Sequence, residues 1–185
     1  MSTMFDARPE ARVRRGWWLI PEIAAFALLL ALAVPFLSSG GGQSGLQAAA
    51  AERGSRLLEQ ASPAEHHSHG HIVAGEDTVL CGIDVFGVDP PSATIIDDVR
   101  TVYGYYFCAV GRPGLPYLES SRSDGPIVVQ LLPAPYIQIA QHGQGYQDRV
   151  RAMMPDQYEQ YCFNGLPDDS VARDVRRRYE REVGA

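Results

Sequence analysis

Thr94–Val110 (TIIDDVRTVYGYYFCAV) is the stretch whose reading decides the fold. Most of its residues are β-formers by type. Its apolar set, however, is Ile95, Ile96, Val99, Val102, Tyr103, Tyr106, Phe107 and Val110, a spacing that follows a 3.6-residue period and not a 2-residue one. Thr94 followed three residues later by Asp97 resembles a capping box, with Asp standing in for Glu, and Gly111 supplies a stop. The period predicts a helix over 94–110 with its aromatic stripe in the core.

Strands are expected on both sides of that helix. Thr78–Val88 alternates at Val79, Cys81, Ile83 and Val85, and Asp89-Pro90-Pro91 ends it. Downstream, Arg112-Pro113-Gly114 reads as a turn, Tyr117–Ser121 as a short strand and Ser123-Asp124-Gly125-Pro126 as a second turn. Ile127–Leu132 reads as a buried strand, and Tyr136–Ala140 alternates; Pro133-Ala134-Pro135 breaks the chain between them. Connections this short exclude parallel crossovers. Gly145–Met154 then reads as a short helix, Asp156–Phe163 as a further helical turn, and Asp168–Val183 as a charged helix with opposite charges at i,i+4 and a thin seam of Val171, Val175, Tyr179 and Val183. That seam predicts a loosely docked helix or one that meets a partner helix, and otherwise a solvated one. The expected fold is a small α+β domain in the order β-α-β-β-β-α, one helix packed on an antiparallel sheet.

Upstream lies Trp17–Leu37 (WWLIPEIAAFALLLALAVPFL), an apolar run with one charge, Glu22. A hydrocarbon core of about 30 Å needs about 20 such residues in a helix. Arg8, Arg12, Arg14 and Arg15 precede the run, and the next arginine is Arg53, so the positive-inside rule places the N-terminus in the cytoplasm. Trp17 and Trp18 suit the inner interface, and Leu37 closes the anchor. A cleaved signal peptide competes with this reading; Ser38-Ser39-Gly40 follows Leu37, but Phe36 and Leu37 crowd the −3 side of most cuts there. The organisation read from the sequence is a cytoplasmic tail (1–16), a transmembrane helix (17–37), an extracytoplasmic linker and stalk (38–76), an α+β domain (77–163) and a charged C-terminal helix (164–185). Leu46–Ala61 reads as the stalk helix, because its apolar positions are sparse and Gly54 weakens its middle.

Charge divides across the anchor. Four of the 16 arginines precede it and 12 follow; three of the 22 acids lie within or before it and 19 follow, so the outer part carries a net charge of −7. That excludes nucleic acid as its partner. There is no lysine, which removes Schiff-base chemistry and the phosphate-loop lysine. Arginine, alanine and glycine in place of lysine also associate with GC-rich bacterial genomes. Cys81, Cys108 and Cys162 all fall on the oxidising side, and Cys81–Cys108 is the expected disulfide because both lie in apolar segments that should pack together.

Two motifs carry candidate chemistry. Glu65–His71 (EHHSHGH) holds His66, His67, His69 and His71, a tract able to bind Zn²⁺, Cu²⁺ or Ni²⁺ weakly and to gain charge in acid, and otherwise a polar linker. His142, with Asp148 nearby, is the one imidazole expected inside the domain. Phosphate loops, C-x-x-C, H-E-x-x-H and G-x-S-x-G are absent from the sequence. The expected function is a single-pass membrane protein with a non-catalytic outer domain, bound to lipid through its anchor and to a protein partner outside. It is expected to need no cofactor; a metal-binding role for the His tract and an enzyme centred on His142 are the alternatives.

Overall fold

The computed structural model describes residues 44–184 apart from 70, 71 and 168. The expected transmembrane run Trp17–Leu37 and His71 lie outside the described residues. Among the described residues no helix is long and apolar enough to cross a membrane. The described chain is an α+β domain: α1 (44–59), α2 (Pro63–Ser68), β1 (Thr78–Asp89), β2 (Thr101–Gly111), β3 (Ser121–Gln130), β4 (Tyr136–Ile139), α3 (Tyr146–Met153), α4 (Asp156–Asn164) and α5 (Ser170–Glu182). The strands form one antiparallel meander in the order β1-β2-β3-β4.

This order corrects the expected β-α-β-β-β-α. Thr94–Val110 is not a helix: Ile96–Asp98 makes a single 3-10 turn without a side-chain cap, and Thr101–Gly111 is the second strand, paired on both edges. The reason is that this sheet is covered on both faces. Val102, Tyr106, Cys108 and Val110 pack on one side, while Tyr103, Phe107 and Ala109 pack on the other. A strand buried on both faces carries a nearly continuous apolar run, which mimics a helical period. The downstream turn and strand are also exchanged. Tyr117–Glu119 is a 3-10 turn, and Ser123–Pro126 lies inside β3. Pro126 is tolerated there because its backbone polar side faces β4 just beyond the last ladder pair, Ile127–Ile139, where its carbonyl accepts from Ala140 N–H at 3.4 Å.

The helix that crosses the sheet is α1, the segment expected to be a stalk. Leu46, Ala50 and Leu58 are buried against Val79, Ile83, Val102, Ile127 and Val129. Gly54 marks the closest approach: a Cβ there would lie 2.9 Å from Ile83 Cδ1 and 3.5 Å from Val129 Cγ2. Glycine costs about 1 kcal/mol against alanine in a helix, and here it lets the helix backbone sit on the sheet. The seam looked sparse in sequence because its central members, Ala50 and Gly54, are small. The opposite face is covered by α3, α4 and α5. Val175, Tyr179 and Val183 are buried against Leu80 and Ala109, so α5 is firmly docked rather than solvated.

Two cross-links fasten β1. Cys81 and Cys108 are directly opposed partners of β1 and β2, and they form the expected disulfide. Along the open edge of β1, Cys81 N–H donates to Glu59 Oε1 at 2.8 Å, and Arg178 Nη1 donates to the Cys81 carbonyl at 3.0 Å. Glu59 and Arg178 pair with each other at 2.9 Å. An ion pair from α1 and α5 thus satisfies one residue of an edge strand that would otherwise offer its backbone to another chain.

Candidate functional site

Of the residues singled out in the sequence, His69 and His142 lie on the β4 side of the domain, and Cys81 and Cys108 lie in β1 and β2. The His tract begins as a helix, not as a linker. Ser62 caps α2, with Ser62 N–H donating to Glu65 Oε2 at 2.7 Å and Glu65 N–H to Ser62 Oγ at 3.3 Å, and Pro63 occupies the first turn. This reciprocal cap turns one side of the six-residue helix inward. His66 is buried, His67 is exposed and His69 is half-buried at the helix end. Burial lowers the His66 pKa, and the neighbouring His69 lowers it further, while Glu65 opposes the shift. Burial also lowers the His69 pKa, partly offset by its hydrogen bond to the Ile137 backbone and by Glu65. Gln141 Nε2 donates to the Ser68 carbonyl at 2.6 Å, tying α2 to the chain after β4.

Two open depressions share His69. One, of about 520 Å³, is lined by Leu57, Glu65, His69, Tyr136 and Ile137, between the first two helices and β4. The other, of about 380 Å³, is lined by His69, Tyr106, Arg122, Asp124 and His142. His142 Nε2 lies 3.1 Å from the Asp124 carbonyl, and its ring stacks on Tyr146 with centroids 5.0 Å apart. Asp148, the nearest acid in sequence, pairs instead with Arg151 at 3.6 Å. His142 is therefore held by a backbone carbonyl and an aromatic face, and Asp148 does not orient it. Cys162 is buried in the α3–α4 layer, and burial pushes its thiol pKa up to about 11, away from a reactive thiolate.

Among the described residues no group of three or more His, Cys, Asp or Glu side chains is placed to hold a metal ion. His66 and His69 are close enough to interact, His67 is exposed, and His71 lies outside the described residues. The capping box at Ser62-Pro63-Ala64-Glu65 is readable in the sequence and signals the helix that carries these histidines. A contact with no sequence signal is that between Tyr105 and Asp124, from adjacent strands: the phenol donates to Asp124 Oδ2 at 2.7 Å. Burial first, and this carboxylate second, raise the Tyr105 pKa. Comparison with protein-family models, curated proteins and solved structures finds no match.

Proposed function

We propose that this chain is a single-pass membrane-anchored bacterial envelope protein whose α+β domain stands outside the cytoplasm as a non-catalytic interaction module. The observation that carries the reading is the Cys81–Cys108 disulfide. Both cysteines are buried in the main core, and a bond of this kind forms and persists in an oxidising compartment. The apolar run Trp17–Leu37, with four arginines closely before it and none after it until Arg53, supports the anchor and its direction. The 520 Å³ depression beside α2, with Tyr136 on its rim, supplies a surface of the size and chemistry that a protein segment fits.

Fractionation and protease protection test the reading. The full chain with a C-terminal tag should stay with membranes after carbonate washing, and protease added to intact spheroplasts should remove the tag. A carbonate-extracted chain, or a tag protected until the membrane is broken, overturns it.

A further inference from the structure

Each helix of the domain is held by what it buries. α1 buries Leu46, Ala50 and Leu58, α3 buries Val150, α4 buries Cys162, and α5 buries Val175 and Tyr179. α2 differs, because its one buried side chain is His66, 1% exposed. A helix of six residues has little stability of its own in water and forms because it is docked. Besides that imidazole, α2 is tied to the domain by the Gln141 amide, which donates to the Ser68 carbonyl at 2.6 Å, and by His69, bonded to the Ile137 backbone. His66 and His69 are thus fastenings made of groups that titrate near neutral pH.

The charges around the two rings do little to hold a proton there. Glu65, on α2 itself, is exposed, and its carboxylate already accepts from the Ser62 N–H. Facing α2 from α1 are the uncharged Leu57, Gln60 and Ala61, and from β4 the uncharged Tyr136, Ile137 and Gln138. Around His69 stand Arg122 and Asp124 of β3, opposite in charge, and His142 after β4. His66 and His69 are also close enough that charging one opposes charging the other. Burial holds both below the ordinary histidine pKa. A group whose pKa is lower docked than free stabilises the docked state above the free value, about 6.5, and that stability is lost as the pH falls.

We infer that α2 is an acid-released latch: protonation of His66, seconded by His69, lifts Ser62–His69 off the β4 side while the sheet and the other helices stay folded. The aliphatic side chains that hold α1 and α5 do not titrate, so acid acts on α2 first. Release takes away one wall of the 520 Å³ depression, the wall made by Glu65, Ser68 and His69, and bares Leu57 and Ile137. The device needs no membrane anchor, so its failure leaves the anchored reading standing.

Backbone amide exchange on the purified full chain, read by mass and corrected for the intrinsic pH dependence of exchange, tests this. The His66 and His69 N–H groups, which donate to the Ser62 and Glu65 carbonyls at 2.9 and 3.0 Å, report α2, and the β2 amides report the sheet. Between pH 7.5 and pH 5.5 each imidazole can supply at most about a tenfold loss of protection over 62–69. The parent should therefore lose protection there severalfold to about a hundredfold, while β2 at pH 5.5 stays at least about a hundredfold better protected. His66→Gln should lose protection by a smaller factor, and His67→Gln, at an exposed position, should respond like the parent. If the glutamine leaves α2 unprotected at pH 7.5, His66→Leu serves as the uncharged variant in its place. Exchange at the imidazole C2 of the parent gives a readout that needs no variant: His66 should titrate at a lower pH than His67. Full protection over 62–69 at pH 5.5, protection equal to that of β2, an unchanged response in the uncharged variant, or equal titration of His66 and His67 overturns the inference.

Discussion

Replacing Arg178 with alanine is expected to destabilise the domain by about 2 kcal/mol, more than a surface ion pair and less than a fully buried one. Exposed pairs are worth about 0.2–1 kcal/mol, whereas removing one partner of a buried pair costs about 3–5 kcal/mol. The side chains of Glu59 and Arg178 are 16% and 33% exposed, between those limits, and each also bonds the Cys81 backbone. For a chain of this length 2 kcal/mol corresponds to a fall in Tm of about 4–8 °C. Glu59→Gln keeps an acceptor for the Cys81 N–H and removes only the charge, so it should cost about 1 kcal/mol. A double-mutant cycle of the two, read by thermal and urea unfolding, should give a coupling of about 1 kcal/mol. Partial burial should preserve most of that coupling in 1 M salt. An Arg178→Ala variant within 0.5 kcal/mol of the parent, or strictly additive changes, would refute the edge-fastening role.

Other expectations follow from the same packing. Replacing both Cys81 and Cys108 with alanine should cost about 3.5 kcal/mol, the chain-entropy value for the 27-residue separation, and reducing agent should then no longer shift the urea midpoint. Gly104→Ala should cost about 3 kcal/mol or more, because its Cβ would lie 2.4 Å from the Asp84 carbonyl, where no flexible side chain can yield; an unfolding curve matching the parent would contradict this. His66 and His69 have pKa values held below the usual histidine value by burial, so below about pH 6.5 the unfolded chain binds more protons than the folded one. The urea midpoint should therefore fall between pH 7.5 and pH 5.5, and less steeply in His66→Gln; an identical slope would exclude His66 as a source. Tyr179→Phe removes the donor to the Leu115 carbonyl at 3.0 Å and should cost about 1 kcal/mol by the same assay.

What the sequence made legible was chiefly what depends on local alternation and short-range chemistry. β1, the strand around Ile127, β4 and the three C-terminal helices follow from periodicity and from Pro and Gly punctuation, and Cys81–Cys108 follows from two apolar segments that pack together. The misreadings of β2 and α1 share one cause, the second layer of helices. A helix on each face makes β2 apolar on both sides, so that Ile95 through Val110 imitates a helical stripe, although Ile95 itself is largely exposed. The same arrangement draws α1 onto the sheet through Ala50 and Gly54, whose small size is what close packing needs and what a hydrophobic pattern overlooks. At the candidate site, His66 was legible as a titratable residue but not as a buried one. Its burial depends on Ser62 and Glu65 starting a helix and on β4 lying beside it. Tyr105 and Asp124 are 19 positions apart, and only the register of β2 and β3 brings them together.

The central claim is that the domain matures on the oxidising side of a membrane with Cys81 bonded to Cys108. Acid-quenching living cells, alkylating the denatured full chain and weighing it tests this directly. The account predicts one alkyl group per chain, on Cys162, with two further groups added only after reduction. Three alkyl groups without reduction would place the chain in a reducing compartment and contradict it.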